Sequence, residues 1–271
     1  MMFNEAIETL SIDKLRKLQS ERFVALVRYM YSHQPFYKQK WDEHGIDISS
    51  IKGIHDIVRF PFTHKDDLRS NYPFGLFAVP HHEISRIHCS SGSTGKPTVV
   101  GYTKDDVEIF SEVVARSLYC AGAAPGMKLH NAYGYGLFTG GLGLHYGAEK
   151  SGMSVIPVSG GMTERQIMLL QDFKSEMISC TPSYALVLAD AIRKIDPELR
   201  TIQLKYAVLG AEPWTEAIRR EVEEKLHVTA TNIYGLSEII GPGISQEDYE
   251  EKNGSHIWED HFLPEVIDAD T

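Results

Sequence analysis

Residues 177–238 read MISCTPSYALVLADAIRKIDPELRTIQLKYAVLGAEPWTEAIRREVEEKLHVTATNIYGLSE, and their pattern decides the fold. Met177 to Cys180 is a short apolar run halted by Thr-Pro-Ser. Pro182 stands where a first-turn proline is harmless and opens a helix through Leu186, Leu188 and Ile192. Leu204 to Leu209 is a second apolar run, closed by Gly-Ala-Glu-Pro. A charged amphipathic stretch from Trp214 to Leu226 follows, and Val228 to Ile233 is a third run. Strands alternating with helices, each strand ending in a cluster of Gly, Ser, Thr or Pro, form the pattern of βαβ units and of a parallel sheet.

Upstream, Ser154 to Val158 reads as a further strand. Thr163, with Gln166 three residues on, makes a capping box ahead of Ile167 and Leu170. Thr103 is placed to cap a helix through Val107, Phe110, Val114 and Leu118. Near the N-terminus, Ile12, Leu15, Leu18, Phe23, Leu26, Val27 and Met30 recur at helical spacing up to about His33, with Ser11 as the cap. Pro35, Gly45, Gly53, Pro61 and Pro73 then punctuate a stretch rich in aromatic residues. Residues 1–80 read as a helical, aromatic-rich layer and residues 81–271 as an α/β region. The expected class is α/β, a mostly parallel sheet with flanking helices behind a helical N-terminal layer.

The chain has 271 residues, 42% of them hydrophobic, and 27 Lys and Arg against 37 Asp and Glu give a net charge of −10. This excludes disordered, collagenous and small disulfide-built classes. Nine acidic residues and one basic residue lie in 247–271, so the rest is almost neutral. A near-neutral body argues against non-specific nucleic-acid binding, which needs a basic surface, and the acidic end reads as a solvated surface. Neither a signal peptide nor a membrane span is expected, which points to the cytoplasm. Cys89, Cys120 and Cys180 form no CxxC pair and read as reduced, small buried hydrophobes.

Three stretches carry chemistry. Cys89-Ser90-Ser91-Gly92-Ser93-Thr94-Gly95-Lys96-Pro97 combines hydroxyls, glycines and a lysine, the means of wrapping a polyphosphate with backbone and side-chain donors. It departs from the Walker pattern: Gly92 and Gly95 are three apart, and Lys96 precedes Pro97 and the strand-like TVVGYT. By composition alone it is also a hairpin turn. Tyr234-Gly235-Leu236-Ser237-Glu238 follows a strand directly, at the carboxyl end of a parallel sheet, where ligands collect. Its carboxylate suits Mg²⁺, a hard ion bound together with phosphates, and its tyrosine suits a stacked base. Gly210-Ala211-Glu212-Pro213 also follows a strand and offers backbone groups to a planar ring.

In this order the three stretches resemble the adenylate-forming superfamily of acyl-CoA synthetases, adenylation domains and luciferases. Within it the likeness is to phenylacetate-CoA ligases, through NAYGYGLFTGGLGLHYGAEKSG at 131–152, YGLSEIIGPG at 234–243 and HIWEDHFLPEVID at 256–268. The resemblance implies a two-step ligase using ATP, Mg²⁺ and coenzyme A on a small aryl acid such as phenylacetate, in phenylacetate catabolism. It implies that Ser90, Ser91, Gly92, Ser93, Thr94, Gly95 and Lys96 hold the phosphates, that Ser237 contacts the α-phosphate and that Glu238 binds Mg²⁺. Lys96, Ser237 and Glu238 are then the catalytic set. Ala211, Glu212 and Pro213 would line the adenine, with Asn232, Tyr234 and Gly235 completing its slot. Tyr133 to Gly141 would form the acyl pocket, with Tyr133 and Phe138 against an aryl ring, Gly140 and Gly141 leaving room, and Ala211 and Pro242 closing it.

Enzymes resembling this chain continue for roughly another domain, ~100–150 residues, with a ribose-gripping aspartate and a catalytic lysine. The resemblance therefore covers the N-terminal portion only, without the mobile C-terminal domain. It implies a truncated chain, or one whose C-terminal domain is a separate partner chain, and a homodimer without membrane or nucleic-acid partners. Two other readings share the phosphate loop: a synthetase that adenylylates a deazaflavin without coenzyme A, and a truncated nucleotide-binding remnant without turnover. His256, Glu259, Asp260 and His261 fall within six residues, yet in an extended strand they split between two faces and do not converge on a metal.

Overall fold

The computed structural model of the protein describes residues 2–90 and 97–268. Two compact units divide the chain.

The helical unit runs from Asn4 to Lys104 and takes in the segment from Trp258 onward. Its elements are α1 (Glu5–Glu8), α2 (Ile12–His33), α3 (Pro35–Glu43), α4 (Lys65–Ser70) and an antiparallel pair, β1 (Arg86–Cys89) and β2 (Val99–Tyr102). The long helix α2 stands where the apolar spacing puts it. Ser11 occupies its N-cap, but the hydroxyl makes no capping bond. Gln34, the one residue between α2 and α3, accepts from the Phe36 amide at 2.7 Å and donates to the Gly75 carbonyl. The core joins Val27, Trp41, Ile46 and Ile51 with aromatic rings. Phe60 stands edge-on to both Trp41 and Phe23, at centroid distances of 5.0 and 5.6 Å, a favoured aromatic geometry.

This unit extends past residue 80, where the change of sequence pattern put a boundary. The hairpin packs on what precedes it: a Cβ at Gly101 would lie 2.7 Å from the Phe77 ring. A change from helix to strand pattern marks new secondary structure, not a new core. The acidic end is also less solvated than its charge suggests. Gln19 on α2 donates to the Glu259 carbonyl at 2.8 Å and Arg22 to the Asp260 carbonyl at 2.6 Å, and Trp258 and Asp260 are buried.

The second unit, Asp105–Ile257 with the first residues of the chain, holds α5 (Lys104–Cys120), β3 (Lys128–Asn131), α6 (Thr139–Lys150), β4 (Ser154–Ile156), α7 (Thr163–Phe173), β5 (Met177–Cys180), α8 (Pro182–Ile195), β6 (Tyr206–Gly210), α9 (Glu216–Leu226), β7 (Thr229–Leu236), β8 (Gly241–Glu247) and β9 (Ser255–Ile257). Seven strands form one sheet in the order β4-β3-β5-β6-β7-β8-β9. The first five are parallel; β8 and β9 are added antiparallel. Ile178, Leu209 and Ala230 of the strands pack with Leu188, Ile192, Val222 and Leu226 of α8 and α9. The caps follow the residue types: the Thr181 hydroxyl accepts from the Tyr184 amide and the Thr215 hydroxyl from the Ile218 amide.

Two local expectations are corrected, and one helix that the sequence left unread is added. Thr163 is the first residue of α7, not its cap. Met162 takes the cap position at φ +53°, and Gln166 reaches back to the Ser159 and Gly161 carbonyls instead of closing a box. The glycine-rich stretch after Phe138 is a helix. Gly143 and Gly147 let α6 lie so close to α5 that a Cβ on either would collide with Phe110 or Val114, and this packing outweighs the ~1 kcal/mol per residue by which glycine disfavours helix. Glu247, counted with the acidic end, is a buried strand residue. It accepts from both Arg219 guanidinium nitrogens at 2.8 Å and from the Asn232 amide at 2.7 Å.

Candidate active site

The order in which successive strands are added reverses between β3 and β5. The chain leaves β3 toward β4 on one side and leaves β5 toward β6 on the other. In open α/β sheets such a switch point opens a crevice at the carboxyl ends of the strands. Two pockets of this unit lie at strand ends, and they share Tyr133 and Phe138 as walls.

The smaller pocket, of about 110 Å³, is lined by Tyr133, Phe138, Gly140, Ala211, Gly235, Ser237 and Pro242, together with Thr139, Leu144, Ile233 and Leu236. Residues far apart in sequence, which the reading above put at an acyl and nucleotide site, thus meet in one place. Its scale is that of a single ring, since an apolar cavity of about 150 Å³ accepts benzene. The Tyr133 and Phe138 rings lie 6.5 Å apart, tilted by 46°. The Tyr133 hydroxyl is buried beside the Gly210 backbone. Burial above all, with Cys180 and Glu212 adding to it, raises its ionisation well above the usual range, so the pocket meets a neutral phenol. Gly140 leaves space for the Phe138 ring, which a Cβ would strike. Thr139 and Gly140 belong to the first turn of α6, whose unpaired amides favour an anionic group.

Ala211, directly after β6, sits at φ +70°, a left-handed conformation that costs a residue with a Cβ about 1–3 kcal/mol and concentrates at ligand sites. Its neighbour Glu212 accepts from the Ser183 amide in the first turn of α8 at 2.6 Å, so its carboxylate serves that helix end. The Asn232 Oδ1 accepts from the Trp214 indole at 3.0 Å. Tyr234 is 53% exposed, an open aromatic face beside the strand end. Neither Glu212, Pro213, Asn232, Tyr234 nor Glu238 lines the two pockets. Gly141 faces the Gly134 backbone, and its carbonyl accepts from Asn131. Ser237 and Glu238 form the turn after β7, and neither side chain hydrogen-bonds to another described residue. In the helical unit, the Ser90 hydroxyl accepts from the Thr98 amide at 3.1 Å and closes the β1–β2 hairpin. Ser91, Gly92, Ser93, Thr94, Gly95 and Lys96 lie outside the described residues.

The larger pocket, of about 490 Å³, occupies the switch point itself. Ala132, Tyr133 and Gly134 follow β3, Gly160 and Gly161 follow β4, and Thr181, Ser183, Tyr184 and Val187 follow β5.

No protein-family model matches the chain. Curated relatives do. The chain is 65% identical over 271 residues to the phenylacetate-coenzyme A ligase of Thermus thermophilus, covering 100% of this chain and 61% of the relative. It is 51% identical over 267 residues to that of Pseudomonas putida, covering 98% and 61%. Along its whole length the chain is similar in sequence to part of a phenylacetate-coenzyme A ligase. It spans about 61% of the length of these relatives. Among solved structures, an open conformation of 2-hydroxyisobutyryl-CoA ligase in complex with 2-HIB-AMP and CoA superposes with a TM-score of 0.85 at 27% identity, covering 93% of this chain and 60% of that one. The same ligase in its thioester-forming state gives a TM-score of 0.86 at 27% identity, over 93% and 55%.

In this chain the larger pocket was not legible from motifs. Thr181-Pro182-Ser183 reads as a helix start, and Gly160-Gly161 as a plain breaker. The remaining signal was topological, since both stretches follow strands on either side of the reversal. Asn131 was missed as well. Its amide donates to the Tyr135 hydroxyl and the Gly141 carbonyl, while its oxygen accepts from Ser179, which pins the wall of the smaller pocket to β5. Among the described residues no cluster of His, Cys, Asp and Glu is placed to hold a metal, and no helix is long and apolar enough to cross a membrane.

Proposed function

We propose that the chain serves the ATP-dependent activation of a phenylacetate-like aryl acid to an acyl-adenylate, followed by transfer to coenzyme A. The observation that carries this reading is the smaller pocket: ring-sized, walled by Tyr133 and Phe138, and joined to the first turn of α6 and to Ser237. A flat ring fits between the aromatic walls. The carboxylate meets the free amides of α6. In the first step a carboxylate oxygen attacks the α-phosphorus of ATP and pyrophosphate leaves. In the second the coenzyme A thiolate attacks the acyl carbonyl and AMP leaves.

The protein contributes position and charge rather than covalent chemistry. Lys96 and the hydroxyls and amides of Ser90 to Gly95 neutralise and hold the phosphates, and Ser237 donates to the α-phosphate. Ala211, Glu212, Pro213, Asn232, Tyr234 and Gly235 border the nucleobase. Glu238 fits a Mg²⁺ ligand, because its carboxylate is uncommitted among the described residues and carboxylate oxygen is the donor that ion prefers. Bound there, Mg²⁺ supplies charge neutralisation on the phosphates. The larger pocket, sharing Tyr133 and Phe138 with the smaller, suits the thiol-bearing arm of coenzyme A, which would reach the acyl carbon across the shared wall. A homodimer and a cytoplasmic setting belong to the same reading, on family likeness.

Calorimetric titration tests it, with phenylacetate, an aliphatic acid and a deazaflavin each added to the chain with MgATP. Binding of phenylacetate, lost on Phe138→Ala, is the expected result. A chain that takes the deazaflavin and not phenylacetate would overturn the substrate assignment.

A further inference from the structure

His130 on β3 and Gln166 on α7 are completely buried, and neither belongs to the three stretches that carry chemistry. The Gln166 amide nitrogen donates to the Ser159 carbonyl at 2.6 Å and to the Gly161 carbonyl at 3.0 Å. Its Oε1 is therefore the atom that faces His130 Nε2, at 2.5 Å. A carbonyl oxygen only accepts, so His130 carries its proton on Nε2 and leaves Nδ1 bare; that nitrogen has no partner among the described residues. Burial lowers the ionisation of His130 more than the Gln166 bond raises it, which keeps the ring neutral and the tautomer single.

The two carbonyls belong to a tight strap after β4. Ser159, Gly161 and Met162 are all at positive φ, +70°, +79° and +53°. A second clasp, the Tyr184 hydroxyl, donates to Gly161 at 3.0 Å. In a trans peptide the N–H points opposite to the C=O of the same plane. With the Ser159 carbonyl drawn onto buried Gln166, the Gly160 N–H must face away from it, and Gly160 lines the larger pocket. No described backbone group accepts from the Gly160 amide.

We propose that Gln166, oriented by His130, is a positioning residue that turns the Gly160 amide into the larger pocket as a hydrogen-bond donor for an amide carbonyl of the pantetheine arm. The strap thereby offers a donor in an otherwise largely apolar crevice, matched to an acceptor-bearing chain. This rests on the assignment of that pocket to the thiol co-substrate.

Calorimetry with pantetheine as the probe, and phenylacetate as the control for the smaller pocket, tests the proposal on the full chain. Gln166→Met, close in volume and without donors, should weaken pantetheine about tenfold, the scale of one hydrogen bond, and leave phenylacetate unchanged. His130→Gln, which keeps a donor nitrogen at similar reach, should bind pantetheine within about twofold of the parent. In the ¹⁵N-glycine-labelled parent, pantetheine should move the Gly160 amide resonance. This arm needs no variant and decides the matter if Gln166→Met does not fold. Undiminished pantetheine binding by folded Gln166→Met, or an unmoved Gly160 resonance in the saturated parent, overturns the clasp and leaves the pocket assignment standing. A parent chain that binds phenylacetate but not pantetheine overturns the pocket assignment, and the proposal falls with it.

Discussion

Glu238 and His130 show how differently single side chains disclose their work. Glu238 was visible from its place in the turn that follows a strand, and its carboxylate has no bond to another described residue that would occupy it. Glu238→Ala is expected to weaken MgATP by about 10–100-fold, the range of an interaction with a charged group, and to leave adenosine unchanged. Equal loss for both ligands in titration calorimetry, with the circular dichroism spectrum intact, would remove the metal role. His130 has no motif, and only its burial beside Gln166 sets its behaviour. Its folded ionisation lies below the ordinary 6.5, so between those values the unfolded chain binds the extra proton. The stability this group confers is complete above pH 6.5 and is lost as pH falls through the folded value. Urea unfolding at about pH 7.5 and 5.5 should show a larger loss for the parent than for His130→Gln; equal losses would mean that His130 titrates normally in the fold.

Among the elements, α6 departs most from its sequence. Four glycines in twelve residues hide the helix, because local propensity is the only quantity a short window reports. The helix forms because those glycines admit α5 at close range, a fact about residues some thirty positions away. Gly147→Ala separates the two effects. On an exposed helix it would stabilise by about 1 kcal/mol. Here its Cβ would meet Val114, and overpacking should instead destabilise the chain by about 1–3 kcal/mol in urea titration. A stabilised variant would show that the two helices are not so closely packed. The strand β8 was hidden for a related reason. Pro242 argues against a central strand, but it pairs with Gly235 where the register shifts, and a bulge is where a sheet accepts proline. Helices α2, α8 and α9 were legible because their apolar residues repeat at 3.6-residue spacing and need no distant partner to be recognised.

On the scale of the molecule, stability and ligand binding are linked. Phenylacetate at 100 times its dissociation constant should raise the unfolding free energy by about 2.7 kcal/mol. Phe138→Ala should abolish that gain at the same concentration. A melting temperature that phenylacetate does not move would remove the smaller pocket as its site. The α/β class, helices α2, α5, α7, α8 and α9, strands β4 to β7 and the motif strings at the strand ends were determined by the sequence alone. Each depends on local periodicity, on breakers at strand termini or on a short ordered string of residue types. The tertiary structure alone decided which strand ends adjoin, and so where the crevice opens. It also joined the β1–β2 hairpin and the segment from Trp258 to the helices, made α6 a helix, buried Glu247 against Arg219, and brought His130 and Gln166 to the strap. The reason is common to them all: contacts between residues distant in the chain follow from packing and from partners for buried polar groups, and neither is encoded in any short window.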